Sequence, residues 1–441
     1  MKFPGSNIIA HGVGERADLP IPDALFFYGS SIAIFVSFIT LSTLWLEPKF
    51  EKLSAGKKLQ TNPTIIKTCR YALKTIGLII LFLSLIAGFT GEDNVNVNYL
   101  PLTIFVIVWV GFLILNGVFG DLWKAINPLM TLSEILNKLG FKRKQIRTAP
   151  NWLSSVAAPL AMFVFLFIEL IYPYRTSPSH LAWIISTHII VSLLLGAVYG
   201  TQWLINNEPF SALFKSVSKM GIFFTKNRSI YRRPLLTGLT NSKDSLTKTA
   251  LLLIVLGGTS FDGFSESKIG LKIFSKEYGS GPWNSADQKT LGLLISILLI
   301  TSLFLAGIWW MKRTTAKTLT ELATSYTPLL IPIVFGYAIA HYFQLLIDET
   351  QRFFILIAAD PLANGSDLIG NKFTEIWLIE PKIVAWIQVL AIVMGHIGSV
   401  IVAHDISLNS NKIKDSPSSQ YGMILVMVAY SLIGLWLLLI A

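Results

Sequence analysis

Charge is what this sequence has least of. Only 14% of its 441 residues are Asp, Glu, Lys or Arg, where soluble domains carry roughly 25%. With 53% hydrophobic residues and a mean hydropathy of +0.60, a soluble globular fold is excluded, because it would need a core larger than domains build. A disordered chain is excluded by the same numbers. Cysteine is nearly missing too. Cys69 stands alone, so there is no disulfide framework and no cysteine-built zinc or iron–sulfur site. The six histidines form neither HExxH nor a paired HxxxH pattern. Residues 1–23 contain no apolar run of signal-peptide length.

Long apolar runs are what is present. A membrane-crossing helix takes about 20 mostly apolar residues. Ten such stretches are predicted, at roughly 24–46, 71–91, 100–119, 153–172, 182–203, 248–262, 289–311, 325–347, 383–404 and 421–440. The alternation of a membrane β-barrel is absent from them. The expected fold is therefore an all-α, polytopic helical bundle forming one membrane domain over 1–441. An outer N-terminal cap is expected over 1–23, stiffened by Pro20 and Pro22, and a long outer loop over 348–382.

The net charge of +11 invites a nucleic-acid reading, and its distribution excludes one. Of the 36 Lys and Arg residues, 24 fall in five alternate loops, 47–70, 120–152, 204–247, 312–324 and 405–420. A ten-span count puts all five on one side. Basic loops mark the cytoplasmic side, so both termini are expected outside a plasma or inner membrane, with the basic groups at lipid headgroups.

The third and fifth runs end alike, in FGDLWKAINPLMTLSEILNKLG and YGTQWLINNEPFSALFKSVSKMG. Gly120 matches Gly200, Trp123 matches Trp203 and, after one inserted residue, Pro128 matches Pro209. Proline suits a first helical turn. Two amphipathic helices are expected, over 128–139 and 209–220, lying in the cytoplasmic interface and ended by Gly140 and Gly221. They read as structural elbows or, with Asp121 and Glu208, as the lining of an inner vestibule. The repeat is parallel, unlike the inverted repeats of many transporters.

Charged groups are costly inside a bilayer and normally face a bundle interior. Glu169, His188 and Asp262 fall in or beside apolar runs. In YAIAHYFQLLIDETQ, Tyr337, His341, Gln344 and Asp348 share one helical stripe that is expected to face protein. Gln388 and His396 lie mid-run, and His404 and Asp405 close it. Sorted by depth, His11, Asp18, Glu169, His188, Asp262, His341, Asp348 and Asp360 form an outer set. Asp121, Glu208, His404 and Asp405 form an inner set, with His396 between. The outer set has the ingredients of a His/carboxylate metal site or an acid–base pair. Interhelical hydrogen bonding is the alternative for any single histidine. The loop AADPLANGSDLIGNKF lacks the alternating oxygens and closing Glu of a calcium loop and reads as a lid or surface loop.

HGVGERADLP, GDLWKAINP, SFDGFS, AHYFQLLIDETQ, AADPLANGSDLIG and GHIGSVIVAHD resemble, in this order and over most of the chain, landmarks of bacterial multi-pass membrane proteins named fenitrothion hydrolase. The matched positions are His11, Asp18, Asp121, Asp262, His341, Asp348, Asp360, His396, His404 and Asp405. The resemblance implies membrane-bound hydrolysis of an organophosphorus thioester-type substrate. It carries no residue roles.

Three readings follow. In the first, His11 and His341 hold an unidentified divalent transition metal. Asp262, Asp348 and Glu169 act as catalytic carboxylates while metal-bound water attacks phosphorus. In the second, the polar groups at both faces, with His396 between, form the route of a permease for a small molecule or ion. In the third, the chain is a non-catalytic scaffold subunit. Oligomeric state is not encoded in any of these features.

Overall fold

A computed structural model describes residues 32, 36–37, 39–40, 43–140, 147–227, 229–240, 244–274, 285–313, 315–365, 379–410 and 421–440. The expected cap over 1–23, with His11 and Asp18, lies outside the described residues.

Lipid offers no hydrogen bonds, so each apolar run satisfies its backbone internally as a helix. After a short helix α1 (Phe50–Ser54) come α2 (Pro63–Thr90), α3 (Leu100–Phe119), α4 (Trp123–Ile126), α5 (Pro128–Lys138), α6 (Asn151–Leu170) and α7 (Pro178–Tyr199). They are followed by α8 (Thr201–Asn207), α9 (Pro209–Val217), α10 (Leu246–Ser265), α11 (Lys268–Phe274) and α12 (Ala286–Lys312). The last are α13 (Leu319–Tyr326), α14 (Leu330–Ala359), α15 (Pro381–Ser410) and α16 (Tyr421–Ile440). Seven stretches are long and apolar enough to cross a membrane: Pro63–Thr90, Leu100–Phe119, Asn151–Leu170, Pro178–Tyr199, Ala286–Lys312, Leu319–Ala359 and Lys382–Leu408. The chain is a helical, multi-pass membrane protein. α10 and α16 add two further helices of 20 residues each, and the described residues between 32 and 44 are helical.

The basic loops meet at one end of the bundle. β1 (Lys57–Lys58) and β2 (Phe223–Lys226) both pair antiparallel with β3 (Ser229–Arg232), a small sheet that no alternation in the sequence announced. Ile222 N–H donates to Val118 O at 2.9 Å and ties in the end of α3. Asp405 at the far end of α15 holds Lys49 N–H at 2.8 Å. Segments from three of the five basic loops and the end of α3 are thus neighbours.

The two repeated elbows take parallel forms. Gly120 and Gly200 end α3 and α7 at φ +97° and +93°, a conformation that favours glycine. A short helix follows each, then a helix opened by proline. Asn127 Oδ1 accepts from Leu129 N–H and Met130 N–H at 2.9 and 3.2 Å. Glu208 does the same for Phe210 N–H and Ser211 N–H at 3.2 and 2.7 Å. The break points touch, since Asn127 Nδ2 donates to Ser211 Oγ at 2.9 Å. α5 is half exposed, with Leu129 and Met130 inward and Ile135 and Leu136 outward. α9 is enclosed, with seven of its nine residues buried. Gly140 follows α5 at φ +93° as expected. α9 instead stops at Val217, capped by Ser218. Gly221 lies against Gly120, where a Cβ would come within 2.4 Å of Gly120 N.

α14 is the central helix. It crosses α15 backbone to backbone at Gly336 and Gly395, where a Cβ on Gly336 would sit 2.4 Å from Ala391 O. It continues to Ala359, so the first dozen residues of the expected 348–382 loop are helix.

Candidate functional site

Three helices bring three of the expected outer residues together. α10 carries Asp262, α14 carries His341, and α6 carries Glu169; all are buried. One turn below the carboxylates α6 presses against α10, where a Cβ on Gly258 would lie 2.6 Å from Leu166 Cδ1. Moving one turn along both helices then sets Glu169 and Asp262 side by side, close enough to interact electrostatically. His341 Nε2–H donates to Asp262 Oδ2 at 2.8 Å. Tyr342 O–H donates to the same oxygen at 2.8 Å. With Nε2 bound to the carboxylate, His341 Nδ1 carries the free lone pair of a neutral ring. Glu169 Oε2 and Trp109 Nε1 are buried without a well-formed hydrogen bond, the indole lying within polar reach of Glu169 and Tyr342.

Asp348 does not join this group. It is exposed, although it shares a stripe with His341. α10 ends at Ser265, so Asp348, seven residues and about 10 Å further along α14, lies beyond its last turn. Its neighbour Glu349 is buried and accepts from Arg352 Nη1 at 3.3 Å. Asp360, also buried, closes α14 at its far end.

Tyr342 is the residue the stripe argument passes over, because it lies 100° around the helix from His341. Its adjacency to His341 in AHYFQ was the available signal.

The inner set does separate work. Asp121 Oδ1 accepts from Lys124 N–H at 3.2 Å at the start of α4. Asp405 Oδ1 accepts from Trp45 Nε1–H at 3.2 Å, Lys49 N–H at 2.8 Å and Phe50 N–H at 3.2 Å. His404 Nε2–H donates to Trp45 O at 2.9 Å. These contacts clamp the start of α1 to α15. Glu208 caps α9 and faces His188 Nε2 at 3.5 Å. That pairing corrects the depth sorting, which set His188 in the outer group and Glu208 in the inner one. α8 doubles back along α7, with a Cβ on Gly196 2.9 Å from Leu204, and so lifts Glu208 into the bundle. His396, on α15, donates Nδ1–H to Ile392 O at 2.8 Å. Its Nε2 is buried without a hydrogen bond.

Comparison with protein-family models, with curated proteins and with solved structures finds no match to the chain.

The residues were expected to hold a metal. Among the described residues no three His, Cys, Asp or Glu side chains gather in a metal-holding group. His341 Nε2 is already bound to Asp262, and His11 lies outside the described residues. The expected pair of His11 and His341 is therefore not on view together. What the arrangement offers is proton exchange: an imidazole, two carboxylates and a phenol enclosed together, with His341 the ion-pair partner of Asp262 among the described residues.

Proposed function

We propose that the chain is a proton-exchanging carrier of the bilayer, with Asp262, His341 and Tyr342 as its proton-binding group and Glu169 beside them. One observation supports this reading most strongly. A titratable imidazole–carboxylate pair and a second carboxylate are enclosed among the helices, with Arg175 and Lys289 in electrostatic range of Glu169 and Asp262 but, among the described residues, His341 as the ion-pair partner of Asp262. Such groups are expensive in a bilayer and are kept where protons or ions move. The interrupted helices α4–α5 and α8–α9 agree with it, because discontinuous segments recur at transport sites. Ten spans, α5 lying in the cytoplasmic interface, basic loops in the cytoplasm and both termini outside a plasma or inner membrane complete the reading. The cargo is a small molecule or ion.

The test is proton movement. Pure protein in liposomes containing a pH-sensitive dye should move protons when cargo is supplied on one side. His341→Gln and Asp262→Asn should each stop it. Undiminished proton movement in both variants would overturn the reading.

A second reading is membrane-bound hydrolysis of an organophosphorus ester, which the sequence resemblance implies. The orientation of His341 favours it. Asp262 holds Nε2–H, leaving Nδ1 as a base that could take a proton from water attacking phosphorus. Phosphotriester turnover by pure protein, lost in His341→Gln, would decide for hydrolysis over carriage.

A further inference from the structure

A second feature lies across an aromatic wall from Asp262. Trp109 and Phe165 meet at 5.3 Å between ring centroids, and Phe165 and Phe210 at 4.9 Å. Beyond Phe165 and Phe210 is a cavity of about 580 Å³, within the size range of small-molecule sites. It is bounded by α2, α3, α6, α7 and the first turns of α5 and α9.

Four observations bear on its occupant. The first is the wall itself. Residues Thr103–Gly111 of α3 form a π-helix, a rare conformation that concentrates at functional sites, and Ile104 and Val108 from it line the cavity. The second is the mouth. Val164, Trp183 and Val191 line the cavity and are 47%, 67% and 47% exposed. They sit on membrane-crossing helices, so the mouth opens sideways to hydrocarbon.

The third is an unsatisfied donor. Trp123 lines the cavity and is 8% exposed, and its Nε1–H has no hydrogen-bond partner. Its counterpart in the repeat, Trp203, donates Nε1–H to Ser154 Oγ at 2.9 Å. A buried N–H left without an acceptor loses its hydration and gains nothing in return. The repeat shows that this position can be satisfied by protein, yet on the cavity side it is not.

The fourth is charge. His188 and Glu208 line the cavity, and no Lys or Arg does. Glu208 is a carboxylate whose two oxygens already accept backbone N–H groups. A phosphate or carboxylate head would meet repulsion and no cation. An ammonium head, a donor only, would leave Trp123 Nε1–H without an acceptor.

We propose that this cavity binds a single-chain amphiphile taken laterally from the bilayer. Its hydrocarbon tail lies along α3, α6 and α7. Its uncharged head, a hydroxyl or an ester carbonyl, accepts from Trp123 Nε1–H and lies beside His188. The site stands apart from the proton-exchanging reading of Asp262 and His341, and either can fail alone.

The experiment uses the full chain in detergent with a monoacylglycerol whose tail carries a diazirine. Illumination should concentrate label on peptides covering 104–108, 161–168 and 184–191. Excess unlabelled monoacylglycerol should remove it, whereas a fatty acid or a lysophosphatidic acid of equal chain length should compete poorly. Ala161→Trp, which fills the cavity, should cut labelling several-fold. Trp123→Phe keeps the ring and removes the donor. It should weaken competition by unlabelled monoacylglycerol about tenfold, the loss of one hydrogen bond, at unchanged melting temperature. Label spread equally onto the exposed α12 face at Leu291, Leu294 and Leu298 would overturn the proposal. So would equal competition by charged heads, or unchanged competition in Trp123→Phe. If Ala161→Trp fails to fold, Trp123→Phe and the head-group series still decide.

Discussion

Asp405 and Asp262 are both buried acids on long helices, and their partners differ in kind. Asp405 accepts from two backbone N–H groups and an indole, none of which titrates near neutrality. Asp262 accepts from an imidazole and a phenol on one oxygen. The first arrangement fixes a chain segment and holds no second titratable partner. The second can pass a proton between its members. Burial and cost are alike in the two, so the partner, more than the acid, separates a structural carboxylate from a chemical one.

This contrast can be broken or sharpened by substitution, and the largest effect is expected at the outer centre. Asp262→Asn keeps an acceptor for Tyr342 and should change stability by no more than about 1 kcal/mol, while proton movement in liposomes falls at least a hundredfold. Asp405→Ala should behave the opposite way. It leaves buried donors open and should destabilise by roughly 3 kcal/mol, read as a lower melting temperature in detergent, with proton movement per folded molecule unchanged. Glu208→Gln retains part of the α9 cap and should cost about 1 kcal/mol by the same melting assay. The last effect concerns pH. Burial pushes the Lys219 ammonium down to about 8, against the pull of Asp244. The unfolded chain holds that proton up to its ordinary value of 10.5, so between these values unfolded molecules bind more protons and stability rises with pH. Lys219→Met should flatten the rise in melting temperature from pH 8 to 10.

Much of the architecture was legible in the residues. Gly120 and Gly200 matched by position and share one backbone conformation. Nine of the ten predicted apolar runs coincide with helices among the described residues, α14 reaching further than its run, while the run at 24–46 is described only in part and seven stretches are long and apolar enough to cross a membrane. His341, Asp262 and Glu169 could be grouped because the three helices that carry them pack side by side. Depth sorting failed at His188, since it treats each span as straight and ends it at the interface, whereas α8 turns back inside. Stripe logic failed at Asp348 because a helix face stays buried only as long as its neighbour continues. Tyr342 was hidden by the same logic in reverse. The Asn127–Ser211 contact and the β1–β3 pairing join distant segments by single polar contacts, which no periodicity reveals.

The Asp405 clamp also orders events during synthesis. Its bonds to Trp45, Lys49 and Phe50 join positions 360, 356 and 355 residues apart. At translation rates of 5–20 residues per second, the first helix waits roughly 20–70 s before the residue that fastens it has been made. Until then the indole of Trp45 and two amides stand open at the inner end. A chain stalled before α15 would keep them open permanently, and that is a mark by which membrane quality-control proteases could tell an unfinished copy from a complete one.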